Sequence, residues 1–269
     1  MKTLTFTKSV ATGNDFIIVD DRRKRLPARP AELARQLCDR RRAIGADGLL
    51  VVGPSAKADF RMRIFNPDGS EAEMCGNGSR CVALYARTKK IAPAHMSFET
   101  RAGIIEGTVQ GDLVKVKLSD PKDIKWNLCL MIDRCPYTVD VINTGVPHVI
   151  HFVNDIDTID VKNLGKEMRY HEAFSPAGSN VDFVKIDGKN TIRVRTYERG
   201  VEDETLACGT GAVASAIIAA EAEKMTSPVT VRTQSGEKLT IYFETAHGGF
   251  KNVYLEGEAA LVFEGTIVL

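Results

Sequence analysis

Two cysteines of this 269-residue chain stand in matching surroundings, Cys75 in Met74-Cys75-Gly76-Asn77-Gly78 and Cys208 in Ala207-Cys208-Gly209-Thr210-Gly211. Each follows a polar loop and precedes an alanine-rich stretch, a pattern that sets the cysteine at or just before a helix N-terminus. Unpaired backbone N–H groups and the positive end of the helix dipole favour a thiolate there, and thiol pKa values at such sites fall from ~8.5 to between ~3.5 and ~7.5. A thiolate so placed is a base. With no side chain on Gly76, Gly78, Gly209 or Gly211 to obstruct them, the same N–H groups form a receptor for a carboxylate. Inverting a carbon centre needs one group to take a proton from one face and another to deliver a proton to the opposite face. One thiolate and one thiol across a cleft meet that need, and their roles exchange with the direction of reaction. Helix N-termini at the substrate carboxylate would also stabilise the charge that builds up when the α-carbon is deprotonated.

A lone Cys-Gly is ordinarily a small buried residue before a turn; the recurrence of the same context is what separates this pair. Cys38, Cys81, Cys129 and Cys135 are read as structural thiols. Neither Cys75 to Cys81 nor Cys129 to Cys135 is a Cys-x-x-Cys, and no histidine stands at ligand spacing from them, so metal and redox readings are weaker.

The elements that must position the two cysteines also recur. Arg61-Met62-Arg63-Ile64-Phe65 leads through a loop to Cys75, and Arg193-Val194-Arg195-Thr196-Tyr197 leads through another to Cys208, with 14 and 15 residues from first arginine to cysteine. Alanine recurs at the eighth and eleventh positions after each cysteine, as Ala83 and Ala86 and as Ala216 and Ala219. One strand–loop–helix unit used twice is the simplest source of such self-similarity. Period-two alternation at Met1–Phe6, Phe60–Phe65, Leu113–Leu118, Ile192–Tyr197 and Thr230–Thr233 marks half-buried, antiparallel strands. Helical patterns fall at Pro30–Arg42, Ser79–Arg87 and Ala212–Lys224, the last two small and apolar on most sides and so expected to be buried. The expected organisation is a lobe over residues 1–120 carrying Cys75 and a second over 121–259 carrying Cys208, with the last strand, about 260–269, left open to return to the first.

The 36 basic and 35 acidic residues nearly cancel, and no basic stripe with interleaved aromatics suits a nucleic acid. The run Asp20-Asp21-Arg22-Arg23-Lys24-Arg25 reads as a solvated turn. The N-terminus lacks the apolar run of a signal peptide, and no stretch approaches the ~20 apolar residues of a membrane span. A cytoplasmic location without a disulfide framework is therefore expected.

In chain order, Gly13-Asn14-Asp15-Phe16, Ile44-Gly45-Ala46-Asp47-Gly48, Phe65-Asn66-Pro67-Asp68-Gly69-Ser70 and Met74 to Gly78 resemble motifs of the diaminopimelate epimerase family. So do Asn143-Thr144-Gly145-Val146-Pro147-His148, Ser179-Asn180-Val181-Asp182-Phe183, Tyr197-Glu198-Arg199-Gly200 and Glu204 to Gly211. The resemblance implies an α+β fold of two pseudo-symmetric lobes, each a mostly antiparallel sheet rolled around a central helix. It implies interconversion of LL- and meso-diaminopimelate without pyridoxal phosphate, metal or other cofactor, in lysine and peptidoglycan precursor synthesis, by a homodimer. Cys75 and Cys208 match the family's acid/base pair. His148 and Glu198 match residues supporting catalysis, and Asn14, Asn66, Gly76, Asn77, Asn180, Glu198, Arg199, Gly209 and Thr210 match substrate contacts. The chemistry fits: Arg199 can grip a carboxylate in bidentate fashion, Glu198 can anchor an ammonium, and asparagine amides both donate and accept. His95, His151, His171 and His247 match no motif and are read as structural or exposed.

Three departures loosen the substrate assignment. Gly48 stands where the family often has glutamine, Val146 removes an amide from the Gly-Asn-Pro-His form, and Ser9 to Thr12 replaces a Met- or His-containing stretch. A racemase of proline or histidine on a similar two-cysteine scaffold, a thiol redox sensor and a ligand-binding protein that has lost turnover therefore stay open. Facing thiols oxidise to a disulfide in air, so dependence on reductant is expected of the enzyme.

Overall fold

The computed structural model describes residues 3–246 and 249–269, so Met1 and Lys2 of the expected opening strand, and His247, lie outside the described residues. The chain gathers into two compact units, one running to Lys117 and resuming over Glu256–Leu269, the other Leu118–Leu255.

The first unit contains β1 (Thr3–Ala11), β2 (Asn14–Asp20), α1 (Pro30–Leu37), β3 (Gly48–Gly53), β4 (Phe60–Phe65), β5 (Glu71–Ala72), α2 (Gly76–Thr88), β6 (His95–Thr100), β7 (Gly103–Gln110) and β8 (Leu113–Lys117). The chain's last strand, Ala260–Val268, pairs antiparallel with β1. The β1–β2, β3–β4, β6–β7 and β7–β8 pairs are antiparallel, whereas β2–β3 and β4–β6 are parallel. A strand buried on both faces is apolar throughout, and β2 and β3 show why: Ile17, Val19, Leu49 and Val51 pack on Leu33, Ala34 and Leu37 of α1, while the alternate face turns Leu50 toward α2. Residues Gly76–Ala86 of α2 are buried without interruption.

The second unit repeats this plan with β9 (Lys122–Ile132), β10 (Cys135–Asn143), β11 (Pro147–Phe152), α3 (Val161–Arg169), β12 (Asn180–Gly188), β13 (Thr191–Glu198), β14 (Asp203–Thr205), α4 (Gly209–Glu223), β15 (Val229–Arg232), β16 (Lys238–Ala246) and the greater part of β17 (Gly249–Glu258), which runs on past Leu255 into the first. Parallel pairs again fall at corresponding places, β11–β12 and β13–β15, among antiparallel neighbours. Here α4 is the buried helix, and α3 covers the other face of the sheet with Val161 and Met168 against Val181, Phe183 and Tyr197.

Three boundaries differ from the sequence reading. Helix α1 stops at Leu37 instead of Arg42 because Asp39 turns its carboxylate onto the N–H groups of Arg41 and Arg42, 2.8 and 3.0 Å away. The buried helices start at Gly76 and Gly209, ahead of the helical pattern at Ser79 and Ala212, and so set Cys75 and Cys208 at the N-caps, where their Cys-Gly context places them. Helix α3 was not foreseen in a mostly polar stretch; Asp160 caps it by accepting from Asn163 N–H at 3.1 Å.

Candidate active site

Cys75 is the N-cap of α2, extended at φ −146°, ψ 124°, and its sulfur accepts from Gly78 N–H at 3.5 Å. Its thiol also lies 3.9 Å from Oδ1 of Asn14. Asn14 opens β2 after a turn through Thr12 and Gly13, both at positive φ. Its Nδ2 donates to Asp47 at 2.8 Å, which commits the amide nitrogen and leaves the carbonyl oxygen toward the sulfur. Asp47 is braced by Arg40, which also holds Asp15, and Lys8 completes the cluster. Burial opposes ionisation of Asp15, but Arg40, Lys8 and Asp47 together hold its carboxyl below the usual range. Asn77 is buried with its Oδ1 accepting from Arg80 at 2.5 Å, so its side chain is turned inward; Arg80 also donates to Thr12, tying the Asn14 turn to the helix. Asn66 is exposed and bonded to Ser70 through both its backbone and its side chain.

Cys208 is the N-cap of α4, at φ −117°, ψ 117°, and accepts from Gly211 N–H at 3.4 Å. Thr210 Oγ1 lies 3.4 Å from the sulfur and 3.0 Å from Nε2 of His148, whose Nδ1 is 2.6 Å from Asp182. Asn180, buried at the start of β12, accepts from Arg199 N–H at 2.8 Å and brings Nδ2 to 3.4 Å from His148 Nε2. The Arg199 guanidinium rests on the carbonyls of Ala177 and Gly178. Glu198 ends β13 and acts electrostatically on Cys208.

The expectation of a lowered thiol pKa does not hold at Cys208. Burial, then Glu198 and Asp182, push this thiol well above its ordinary value, and the Thr210 hydroxyl and Gly211 N–H pull only partly the other way. The helix dipole is thus outweighed by desolvation and two carboxylates. Of the other cysteines, Cys38 and Cys81 are buried, but Cys129 and Cys135 are exposed on β9 and β10 and are not core thiols. His95 and His151 bond to Thr108 and Thr138, and His171 caps a single 3-10 turn.

Each unit therefore gathers its own share of the expected residues: Asn14 and Cys75 with Gly76 and Asn77 in the first, and Cys208, Gly209, Thr210, His148, Asn180, Glu198 and Arg199 in the second. The sequence reading missed Asp47, Arg80, Asp182 and Thr196. Asp182 had a signal: a carboxylate at the centre of an otherwise apolar strand, Val181 to Val184, is costly unless partnered.

Solved structures share this architecture at low identity. A phenazine biosynthesis protein of the PhzF family from Bacillus anthracis superposes with a TM-score of 0.78 at 18% identity, covering 100% of both chains. A probable proline racemase from Agrobacterium radiobacter K84 gives 0.76 at 15%, covering 99% of this chain and 93% of its own. The chain thus has the doubled α+β fold found in racemases and in phenazine biosynthesis proteins. The diaminopimelate epimerase family model matches residues 6–123 and 141–262. Diaminopimelate epimerases of Aquifex aeolicus and Methanocella arvoryzae are each 42% identical, the first over 98% of both chains, the second over 99% of this chain and 98% of its own. The chain belongs to the diaminopimelate epimerase family and is an isomerase.

Proposed function

We propose that the chain interconverts LL-2,6-diaminopimelate and meso-diaminopimelate through Cys75 and Cys208, one as thiolate base and the other as thiol acid on opposite faces of the α-carbon. The observation carrying this reading is that both cysteines cap the N-termini of buried helices, each accepting the N–H three residues on. The backbone of Gly76-Asn77 and Gly209-Thr210 then receives the carboxylate at the reacting centre, where helix N-termini favour negative charge. Asn14, Asn66, Asn180, Glu198 and Arg199 supply the remaining substrate contacts, with Arg199 suited to a carboxylate, Glu198 to an ammonium and the asparagine amides able to donate and accept. His148 supports proton handling at Cys208. No cofactor is required by this scheme. Lysine and peptidoglycan precursor synthesis in the cytoplasm is the corresponding setting; no helix among the described residues is long and apolar enough to cross a membrane. A homodimer is part of the proposal, built through the last strand, where Val262, Phe263 and Val268 are at least half exposed; light scattering after size exclusion tests it.

The functional test is α-proton exchange in deuterated water, followed by NMR on LL- and meso-diaminopimelate with reductant, in wild type, Cys75→Ala and Cys208→Ala. Interconversion by wild type and by neither variant is expected. Wild type that ignores diaminopimelate but exchanges proline or histidine would overturn the substrate, and retained epimerisation in either variant would overturn the two-thiol scheme.

A further inference from the structure

In the second unit a line of polar groups runs from the thiol into the core. Cys208 Sγ is 3.4 Å from Thr210 Oγ1, which is 3.0 Å from His148 Nε2. His148 Nδ1 is 2.6 Å from Asp182 Oδ2, and Thr196 donates to Asp182 Oδ1 at 2.6 Å. His148 and Asp182 are wholly buried.

Capping a helix with cysteine does not require this line, as the first unit demonstrates. Phe16 lies opposite Gly48 in the parallel β2–β3 pair as His148 lies opposite Asn180 in β11–β12. Two residues further on, Leu50 occupies the place of Asp182, and across the antiparallel neighbours Leu50 pairs with Ile64 as Asp182 pairs with Thr196. The helix glycines agree: a Cβ on Gly78 would lie 3.1 Å from Leu50 Cδ2, and one on Gly211 only 2.3 Å from Asp182 Oδ1. Phenylalanine, leucine and isoleucine in one unit are thus histidine, aspartate and threonine in the other. Burying a carboxylate where the same fold tolerates leucine is expensive.

Building on the proposed epimerase reading, we propose that the Thr210 hydroxyl relays the Cys208 proton to and from His148, with Asp182 as the residue that positions the imidazole. The Asp182 carboxylate accepts from Nδ1–H, which leaves the Nε2 lone pair toward Thr210; the nearby Asn180 amide also offers N–H to that nitrogen. In the relay step the S–H bond of Cys208 breaks and its proton passes to Oγ1 of Thr210, while the Oγ1–H proton passes to Nε2. The hydroxyl is restored, thiol and imidazole become thiolate and imidazolium, and net charge is unchanged. The relay sets the form in which Cys208 meets substrate: with the proton on His148 the sulfur is a thiolate base, and with the proton returned it is a thiol acid. The groups acting on this sulfur are Glu198 from β13, Asp182 from β12, His148 from β11, and Thr210 and the Gly211 N–H from α4. Glu198 and Asp182 disfavour an isolated thiolate, and an imidazolium formed beside it offsets them.

The test follows iodoacetamide alkylation of Cys208 against pH, resolved by peptide mass spectrometry, in wild type, Thr210→Val, Thr210→Ser and Asp182→Asn, with Cys75 in the same samples as reference. Thr210→Val is expected to move the Cys208 profile up by about one pH unit, a roughly tenfold slower reaction at neutral pH, with Cys75 unmoved; Asp182→Asn removes the imidazole's anchor but also a carboxylate that raises the thiol, so its Cys208 profile is expected to move by less than that of Thr210→Val. Thr210→Ser, which keeps a hydroxyl, is expected to retain the wild-type profile. A Cys208 profile in Thr210→Val equal to wild type, or a Cys75 profile that moves equally, overturns the relay. Should Asp182→Asn fail to fold, Thr210→Val decides. Diaminopimelate turnover is measured in parallel. Inactive wild type with a shifted Thr210→Val profile removes the substrate and keeps the relay, whereas active wild type with an unshifted profile removes the relay alone.

Discussion

At the scale of single residues, the tightest constraint is the absence of a side chain at Gly211, since an added Cβ meets a carboxylate oxygen at 2.3 Å. Gly211→Ala is expected to cost about 1–3 kcal/mol in urea denaturation, as overpacking does, and to slow epimerisation, with a smaller loss in Gly78→Ala because a leucine methyl can yield. Burial pushes the Cys38 and Cys81 thiols up to about 11 and about 12. Native alkylation should therefore label exposed Cys129 and Cys135 first and reach Cys38 and Cys81 only on unfolding; early labelling of Cys81 would contradict its packing. Asp15 gives a pH prediction of definite sign. Its folded pKa is depressed, so its contribution is present above the unfolded value of about 4 and is lost as pH falls through the folded value. Asp15→Asn should flatten the acid limb of a stability–pH curve. The two cysteines and the asparagine motifs were legible because glycine, asparagine and cysteine at fixed spacing have few other uses. Asp182 and Asp47 stand inside the quoted motifs, but their roles were not legible, because they depend on partners 34 and 33 residues away.

At the scale of elements, each cysteine loop is braced from behind. Arg63 grips Glu71 and Arg195 grips Glu204 with two hydrogen bonds each, clamping β4 to β5 and β13 to β14. The arginine repeat visible in the sequence thus has a structural reason: a fixed loop delivers the N-cap at a fixed angle. The helices behind the caps are held mainly by packing, with Arg80 of α2 also bonded to Thr12 and the Thr210 carbonyl of α4 accepting from Thr144. Ile217 on α4 is fully buried, so Ile217→Ala should cost about 2–5 kcal/mol in urea denaturation, whereas Glu221→Ala on its exposed end should change stability by less than about 0.5 kcal/mol. Equal losses would mean that the helix is not buried as described. Alternation and alanine content revealed these strands and helices because burial on one or all faces writes directly into residue type. The Cys-Gly context marks the starts of α2 and α4, although the helical pattern itself begins three residues later, at Ser79 and Ala212, because the glycine-bearing first turns are poor helix formers; α3 is not legible because its apolar residues are few.

At the scale of the whole molecule, the last strand matters most, because Ala260–Val268 pairs with β1 from the far end of the chain. Removing residues 260–269 should strip hydrogen-exchange protection from Thr3–Ala11 while leaving β12 and β13 of the second unit protected; equal loss in both units would show that they unfold as one. The sequence by itself determined the doubled plan, the buried helices and the thiols at their N-termini, because periodicity, alanine content and the Cys-Gly context are local properties of the chain. Only the tertiary structure decided how each thiol is surrounded. The parallel register of β11 with β12 brings His148 and Asp182 together behind Cys208, while the same register in β2 and β3 puts Phe16 and Leu50 at the equivalent places in the first unit. A thiol's acidity depends on charges and hydroxyls a few ångströms away in space, and pairing between distant strands sets which those are.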